Sequence, residues 1–124
     1  MKSLLLIAHG SRRAESNDEV RALAVKLSAL TNDFDTVSCA FLELAEPSIP
    51  DGIEACVQQG ATEIVILPYF LSAGRHVAED IPALVQPKQV QYPEIKIELQ
   101  AYLGAATALP DLILNLVEWL GRES

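Results

Sequence analysis

The sequence predicts an α/β fold, organised as a single-domain three-layer α/β/α sandwich around a four-stranded parallel sheet. Apolar runs typical of strands alternate with amphipathic segments typical of helices, in the order βαβαβαβα. This alternation favours a parallel sheet with right-handed crossovers and helices on both faces. Half of the 124 residues are hydrophobic, which is enough to bury one sizeable core. Residues 1–124 are therefore expected to form a single domain. The run LLLIA at residues 4–8 is continuously apolar, as in a strand covered on both faces.

Four segments predict the strands. They cover residues 2–8, 36–44, 62–67 and 95–101. The first three are apolar runs, and the fourth alternates only weakly between apolar and polar residues. The loops that follow the first three strands do not resemble one another, so the chain is not built from sequence repeats.

Helical periodicity separates these strands. The first helix follows the polar stretch 11–17, with apolar residues from 20 to 30 at helical spacing. The second begins at Ser48, a favourable N-cap, and stops at Gly60. The third covers roughly residues 76–90, and the last is an amphipathic segment over residues 112–120 that ends at Gly121.

Charge and composition narrow the classes of function. A net charge of −8 argues against nucleic acid as a partner, because nucleic-acid binding requires basic patches. No apolar run approaches the roughly 20 residues needed to cross a bilayer, so we expect no membrane association. Cys39 and Cys56 form no CxxC pair and are expected to be buried, reduced thiols. We therefore expect a cytoplasmic protein.

Two histidines and a glutamate occupy corresponding places after successive strands. His9 follows the first strand, Glu43 stands at the end of the second, and His76 lies in the loop after the third. They are 34 and 33 residues apart, about one βα unit each. Because ligands of open parallel sheets bind outside the carboxyl ends of the strands, all three side chains belong to one edge. Two imidazoles and a carboxylate are a common ligand set for a divalent metal ion.

The neighbouring residues suit such a site. Gly10 permits close approach of backbone or substrate, and Ser72-Ala73-Gly74 forms a loop over the edge. His76 lies near a helix N-terminus, which disfavours the imidazolium form. Ser11-Arg12-Arg13 places clustered positive charge near the edge. Each residue alone also has a structural explanation: a hydrogen-bonded histidine, a solvent-facing carboxylate or a solvated helix start.

Three segments resemble the small sirohydrochlorin chelatases of the CbiX type, within the class II chelatases. They are "AHGSRRAESN" (8–17), "FLELAEPSIPDGI" (41–53) and "ILPYFLSAGRHVAEDIP" (66–82), in family order and spacing. The third is the most specific, and the similarity spans about the first two-thirds of the chain. The resemblance implies a flavodoxin-like, chelatase-like half, since longer relatives hold two such halves around a cleft.

The resemblance also implies a function. These enzymes are lyases that insert Co²⁺ or Fe²⁺ into sirohydrochlorin without ATP, on the way to cobalamin or sirohaem. His9 and His76 match the active-site histidines, and Glu43 matches the acidic residue of the second segment. The metal is a substrate, no tightly bound cofactor is expected, and the small form is expected to pair as a homodimer.

The polycarboxylate substrate calls for local positive charge and a surface for its ring. The expected carboxylate partners are Arg12, Arg13 and Arg75. The expected ring contacts come from Tyr69, Phe70 and Leu71, with a place in the core as the equal alternative for Phe70. The remaining expected substrate-binding positions are Gly10, Ser11, Ser72 and Gly74.

Two other functions stay open at this point. One is a noncatalytic module that binds a tetrapyrrole or a metal. The other is a phosphohydrolase of the histidine phosphatase type, although Ala8 stands where that chemistry requires an arginine. The sequence does not distinguish among cobalt, iron and nickel, because all of them accept this ligand set.

Overall fold

The computed structural model describes the backbone of residues 1–123 and the side chains of residues 1–75 and 77–118. The strands are β1 (Lys2–Ala8), β2 (Thr36–Phe41), β3 (Glu63–Pro68) and β4 (Lys96–Leu99). The helices are α1 (Ala14–Leu30), α2 (Ile49–Gln58), α3 (Arg75–Gln91) and α4 (Leu109–Glu123), with a 3-10 turn at Leu103–Ala105. This confirms the predicted order of elements.

The four strands form one parallel sheet in the order β2-β1-β3-β4. The central strand β1 pairs with β2 on one side and with β3 on the other. Ala8 lies beside Phe41, and Ile7 lies beside Pro68. The carboxyl ends of β1, β2 and β3 therefore meet at one edge, as the sequence predicts.

Alternating residues of the strands face two different helix layers. The larger core cluster joins the sheet to α2 and α3 and includes Leu5, Ile7, Ala40, Ile53, Ile64 and Ile66. Burying each large aliphatic side chain of this cluster contributes roughly 1.5–3 kcal/mol. The smaller cluster comprises Ala8, Val20 and Phe41 and lies under α1. The two clusters establish the predicted three layers.

Local sequence signals explain the bounds of several elements. Ser48 caps α2, because its Oγ accepts the Asp51 N–H at 3.2 Å. Gly60 follows that helix with φ +99°, a conformation that glycine adopts without strain. Helix α3 lies within one residue of its predicted bounds at both ends. Helix α4 continues to Glu123, beyond the predicted stop at Gly121.

Strand β2 ends three residues before its predicted end at Leu44. The Phe41 N–H donates to the Pro47 carbonyl at 2.8 Å, and Leu44 has φ +65°, which no strand residue adopts. Glu43 therefore lies in the loop 42–48 that follows the strand. Strand β4 is also shorter than its predicted range of 95–101.

Helix α4 differs from the other helices in its surroundings. The 3-10 turn is the main neighbour of this helix in the described part of the chain, and every residue from 111 to 118 is exposed. Among the residues that the structure describes, no helix combines the length and the apolar character needed to cross a bilayer.

Both cysteines are free thiols. Cys56 is buried and Cys39 is half-buried. Burial raises the pKa of both thiols, although the Arg21 charge opposes the rise in the pKa of Cys39. The predicted burial is therefore confirmed for Cys56 and met only in part by Cys39.

Candidate active site

The strand register brings the first and second predicted site residues together. Just beyond the paired strands, the Leu42 N–H donates to the Ala8 carbonyl at 2.9 Å, and the Glu43 N–H donates to the His9 carbonyl at 3.1 Å. The His9 Nε2 and Glu43 Oε1 atoms are 3.0 Å apart. Their side chains are 54% and 56% exposed, so a ligand can reach both. We call this arrangement the His9–Glu43 pair.

Gly10 permits this close approach of two loops. Its φ is +93°, and a Cβ built on it would lie 1.7 Å from the Glu43 carbonyl oxygen. Any other residue would push the two loops apart. The close approach that the sequence predicts at Gly10 is therefore made by the backbone of Glu43.

Asn17 holds the loop that carries His9, a role that the sequence analysis missed. Its buried side chain accepts the Ser11 N–H at 2.9 Å and donates to the Ser11 carbonyl at 2.8 Å. Ser11 in turn accepts the Arg13 N–H through its Oγ at 3.0 Å. Asn17 shares the buried stripe of α1 with Val20 and Ala24, and that spacing is the signal by which it could have been found.

Arg21 holds the loop that carries Glu43 and was also missed. Its guanidinium donates to the Glu46 carbonyl at 2.9 Å and lies 5.1 Å from the centre of the Phe41 ring. It also pairs with Asp18 at 3.0 Å. Helix α1 thus fixes both loops, one through Asn17 and the other through Arg21.

The loop 69–74 after β3 borders the pair on its other side. The Tyr69 N–H donates to the Ile7 carbonyl at 2.7 Å, beside His9. A Cβ at Gly104 would lie 1.7 Å from the Leu71 carbonyl oxygen, so the 3-10 turn packs closely under this loop. Tyr69 and Leu71 are exposed, whereas Phe70 packs against the larger core cluster. Ser72 and Gly74 are exposed at the loop surface.

An apolar pocket of about 160 Å³ lies beside this loop. It is smaller than the roughly 300 Å³ at which pockets for whole small molecules begin, so it can accept only part of a large ligand. It lies at the ends of β3 and β4 and at the start of α3, and its lining includes Phe70, Val77, Ile81, Leu99 and Tyr102.

The three predicted arginines lie at the site edge but do not form one cluster. Arg12 and Arg13 are exposed in the loop after β1. Arg75 begins α3 and pairs with Glu79 at 3.3 Å, with the arginine side chain 89% exposed. All three are accessible to an anionic ligand.

His76 occupies the second position of α3, directly after the neighbour strand of β1 and its loop. Its side chain lies outside the described residues. Among the side chains that are described, no group of three potential metal ligands forms a cluster. The three-residue set of His9, Glu43 and His76 therefore stays a prediction, and the structure shows one contact within it, that between His9 and Glu43.

The family model CbiX matches residues 3–119. The chain belongs to the CbiX family.

Its relatives are chelatases by name. The chloroplastic sirohydrochlorin ferrochelatase of Arabidopsis thaliana is 37% identical over 115 residues, which are 93% of this chain and 51% of that protein. The sirohydrochlorin cobaltochelatase of Methanocaldococcus jannaschii is 38% identical over 85 residues, 68% of this chain and 59% of that one. The chain spans about half the length of the curated relatives that it matches.

A solved structure confirms the fold. The sirohydrochlorin chelatase SirB from Bacillus subtilis subspecies spizizenii, in complex with cobalt, superposes with a TM-score of 0.80 at 31% identity. The match covers 94% of this CbiX chain and 50% of SirB. This chain therefore shares its α/β architecture with about half of SirB.

Proposed function

We propose that this CbiX chain is a metal chelatase that inserts Co²⁺ or Fe²⁺ into sirohydrochlorin without ATP. One observation supports this most directly: the exposed His9–Glu43 pair joins the ends of two neighbouring strands in a chain whose relatives are named sirohydrochlorin chelatases. The metal is a substrate, and no tightly bound cofactor is part of the proposal. The cytoplasmic location stays a prediction.

The contact between the two side chains assigns a role to each nitrogen of His9. An ionised Glu43 only accepts hydrogen bonds, so the Nε2 atom at 3.0 Å carries the proton of a neutral imidazole. The lone pair is then on Nδ1. This nitrogen is the atom that binds an incoming metal ion or accepts a proton, and Glu43 orients the ring, as carboxylates do behind metal-binding histidines.

Insertion releases two protons from the macrocycle. As each pyrrole N–H bond breaks, the electron pair stays on the pyrrole nitrogen, which binds the metal ion through it, and the proton goes to a base. Nδ1 of His9 accepts one such proton, and the imidazolium can pass its Nε2 proton to Glu43. His76, at the start of α3, is proposed as the second base and as a metal ligand together with Nδ1 of His9, while Glu43 acts behind His9 by orienting its ring.

The loops around the pair supply the proposed substrate contacts. Arg12, Arg13 and Arg75 are exposed and can meet the carboxylates of the substrate, which a chain of net charge −8 would otherwise repel. Tyr69 and Leu71 offer exposed apolar surface to the ring. Phe70 packs partly against the larger core cluster and also lines the apolar pocket, so only part of its ring can meet a ligand. The backbone of Gly10, Ser11, Ser72 and Gly74 completes the loop edges.

We propose a second copy of the chain as the partner. The exposed apolar side chains of α4 support a homodimer; they are Leu112, Ile113, Leu114, Leu116 and Val117, each 53–59% exposed. The length of the relatives also supports it, since SirB has room for a second domain of this size. An amphipathic helix with exposed apolar side chains, as on the described part of α4, is typical of an interface.

Light scattering at several protein concentrations tests the homodimer. We expect twice the monomer mass for the chain and the monomer mass for Leu116→Glu. Val25→Glu, on the exposed surface of α1, is the matched control and should stay dimeric. A monomeric unaltered chain contradicts the partner proposal.

Absorbance spectroscopy tests the function. Purified chain is mixed with sirohydrochlorin and Co²⁺, Fe²⁺ or Ni²⁺, and the initial rate of the spectral change is compared with a protein-free control. We expect acceleration with Co²⁺ or Fe²⁺. Binding of the ring without acceleration would instead support the noncatalytic module, and hydrolysis of an aryl phosphate would support the phosphohydrolase.

A further inference from the structure

Leu44 combines an exposed apolar side chain with a disfavoured backbone conformation. It directly follows Glu43, has φ +65°, and is the one non-glycine residue with positive φ in the described part of the chain. Its side chain is 55% exposed and belongs to neither core cluster. Glycine, asparagine or aspartate adopts this conformation more readily than leucine. Core packing therefore does not explain why a leucine stands here.

The conformation of Leu44 is imposed by its neighbours in the chain. Before it, the Glu43 N–H is bound to the His9 carbonyl. After it, Ala45 packs against the smaller core cluster, and Arg21 holds the Glu46 carbonyl. A strained residue persists where its surroundings fix it in this way, and such residues concentrate at functional sites.

Both loops next to the one that carries His9 have exposed apolar side chains. Leu44 is in the loop after β2, and Tyr69 and Leu71, 39% and 71% exposed, are in the loop after β3. Because β1 stands between β2 and β3, the loop that carries His9 lies between these two loops. A flat ligand large enough to cover the His9–Glu43 pair therefore also reaches the neighbouring loops and their exposed apolar residues.

We propose that Leu44 is a substrate-binding residue that packs against the flat face of the tetrapyrrole bound over the His9–Glu43 pair. This rests on the proposed chelatase function and adds a residue to it. Leu44 sets the affinity for the ring and takes no part in proton or metal transfer. Its effect therefore falls on the KM for the ring and leaves kcat unchanged.

Two variants distinguish the contribution of the Leu44 side chain from that of the Leu44 backbone conformation. Leu44→Asn removes the apolar side chain and relieves the backbone, whereas Leu44→Met keeps an apolar side chain. Leu30→Asn makes the same chemical change at a leucine that is 79% exposed at the end of α1. The dissociation constant of metal-free sirohydrochlorin is measured by its fluorescence, and KM and kcat are measured by the insertion assay.

For Leu44→Asn we expect the dissociation constant and KM to rise about five- to tenfold, as for loss of a half-buried apolar contact. Its kcat should stay within about twofold, and its thermal midpoint should not fall. Leu44→Met and Leu30→Asn should bind the ring like the unaltered chain. Leu44→Gly, which also removes the side chain and relieves the backbone, should behave like Leu44→Asn.

The inference on Leu44 is wrong if Leu44→Asn binds the ring as tightly as Leu30→Asn, or if Leu44→Met is as weak as Leu44→Asn. It is also wrong if Leu44→Asn lowers the thermal midpoint, because the leucine would then be structural. An unaltered chain that binds no sirohydrochlorin contradicts the proposed function itself, which is a separate result.

Discussion

Two clusters of charged and polar side chains in this molecule are built in opposite ways. The His9–Glu43 pair makes one side-chain contact and is more than half exposed. The second cluster joins α2 to α3: the Glu54 carboxylate accepts hydrogen bonds from Tyr92, Gln58 and Lys88 at 2.6–2.9 Å. These bonds lower the pKa of Glu54 to about 2, and the same carboxylate raises the pKa of Tyr92.

The difference separates a reactive site from a structural one. Glu54 has its acceptor capacity filled by three donors, so it is well placed to hold two helices together. The His9–Glu43 pair leaves an imidazole nitrogen and a carboxylate oxygen open to a ligand. Unfilled binding capacity at an exposed strand edge is what a site needs if it must bind and then release a metal.

Removing His9 should have the largest effect on activity. We expect His9→Ala to lower the rate of metal insertion by about a hundredfold or more, the usual scale for loss of a proton-transfer group. Its thermal midpoint should change little, because the side chain is exposed. Circular dichroism melting and the insertion assay measure the two quantities. A rate within twofold of the unaltered chain contradicts the role of His9.

Gly10→Ala should disturb both activity and stability. The added Cβ collides with the Glu43 carbonyl, and the positive φ is also disfavoured. Gly60→Ala is the matched control, because Gly60 has φ +99° but open space around it. We expect Gly60→Ala to cost roughly 1–2 kcal/mol and Gly10→Ala about 1–3 kcal/mol more, with insertion lost only in the latter. Equal free energies of unfolding in urea would show that the close contact is absent.

Asn17→Ala should have an intermediate effect on both activity and stability. It leaves the Ser11 N–H and carbonyl without their partner, at a cost of about 1–3 kcal/mol in the free energy of unfolding. The freed loop should also lower the insertion rate. Ser16→Ala, an exposed neighbour on the same helix, is the control. Unchanged urea midpoints for both variants would show that Asn17 does not anchor the loop.

Glu54→Gln should have the smallest effect on activity and a distinct dependence on pH. Because the pKa of Glu54 falls from 4.5 to about 2 on folding, its stabilisation is complete above pH 4.5 and is lost as the pH falls towards 2. Urea midpoints at several pH values measure this. The variant should be less stable at neutral pH, should lose less stability on acidification and should insert metal normally. A variant as acid-sensitive as the unaltered chain would contradict this account of Glu54.

The sequence predicts the features that follow from chain topology and local signals. Parallel strands end at one edge, so the meeting of His9 and Glu43 was predictable from their places after β1 and β2. The Ser48 cap and the Gly60 stop were predictable from residue type alone. These features need no knowledge of which side chains meet across the fold.

Features set by tertiary contacts were not predictable in this way. The early end of β2 and the conformation of Leu44 depend on Arg21 and on the His9 carbonyl, which belong to other elements. The role of Asn17 depends on how its own loop folds back onto α1. The amphipathic pattern of α4 indicates an apolar face but not what the helix packs against.

The central claim is that His9 and Glu43 form one site, and measuring the coupling between them tests it most directly. Insertion rates are measured for His9→Ala, Glu43→Ala and the double variant, all confirmed as folded. Residues that act as one unit lose their effect together, so we expect the double variant to be within about twofold of the slower single variant. A double variant whose loss is the product of the two single losses would contradict the claim that the two side chains form one site.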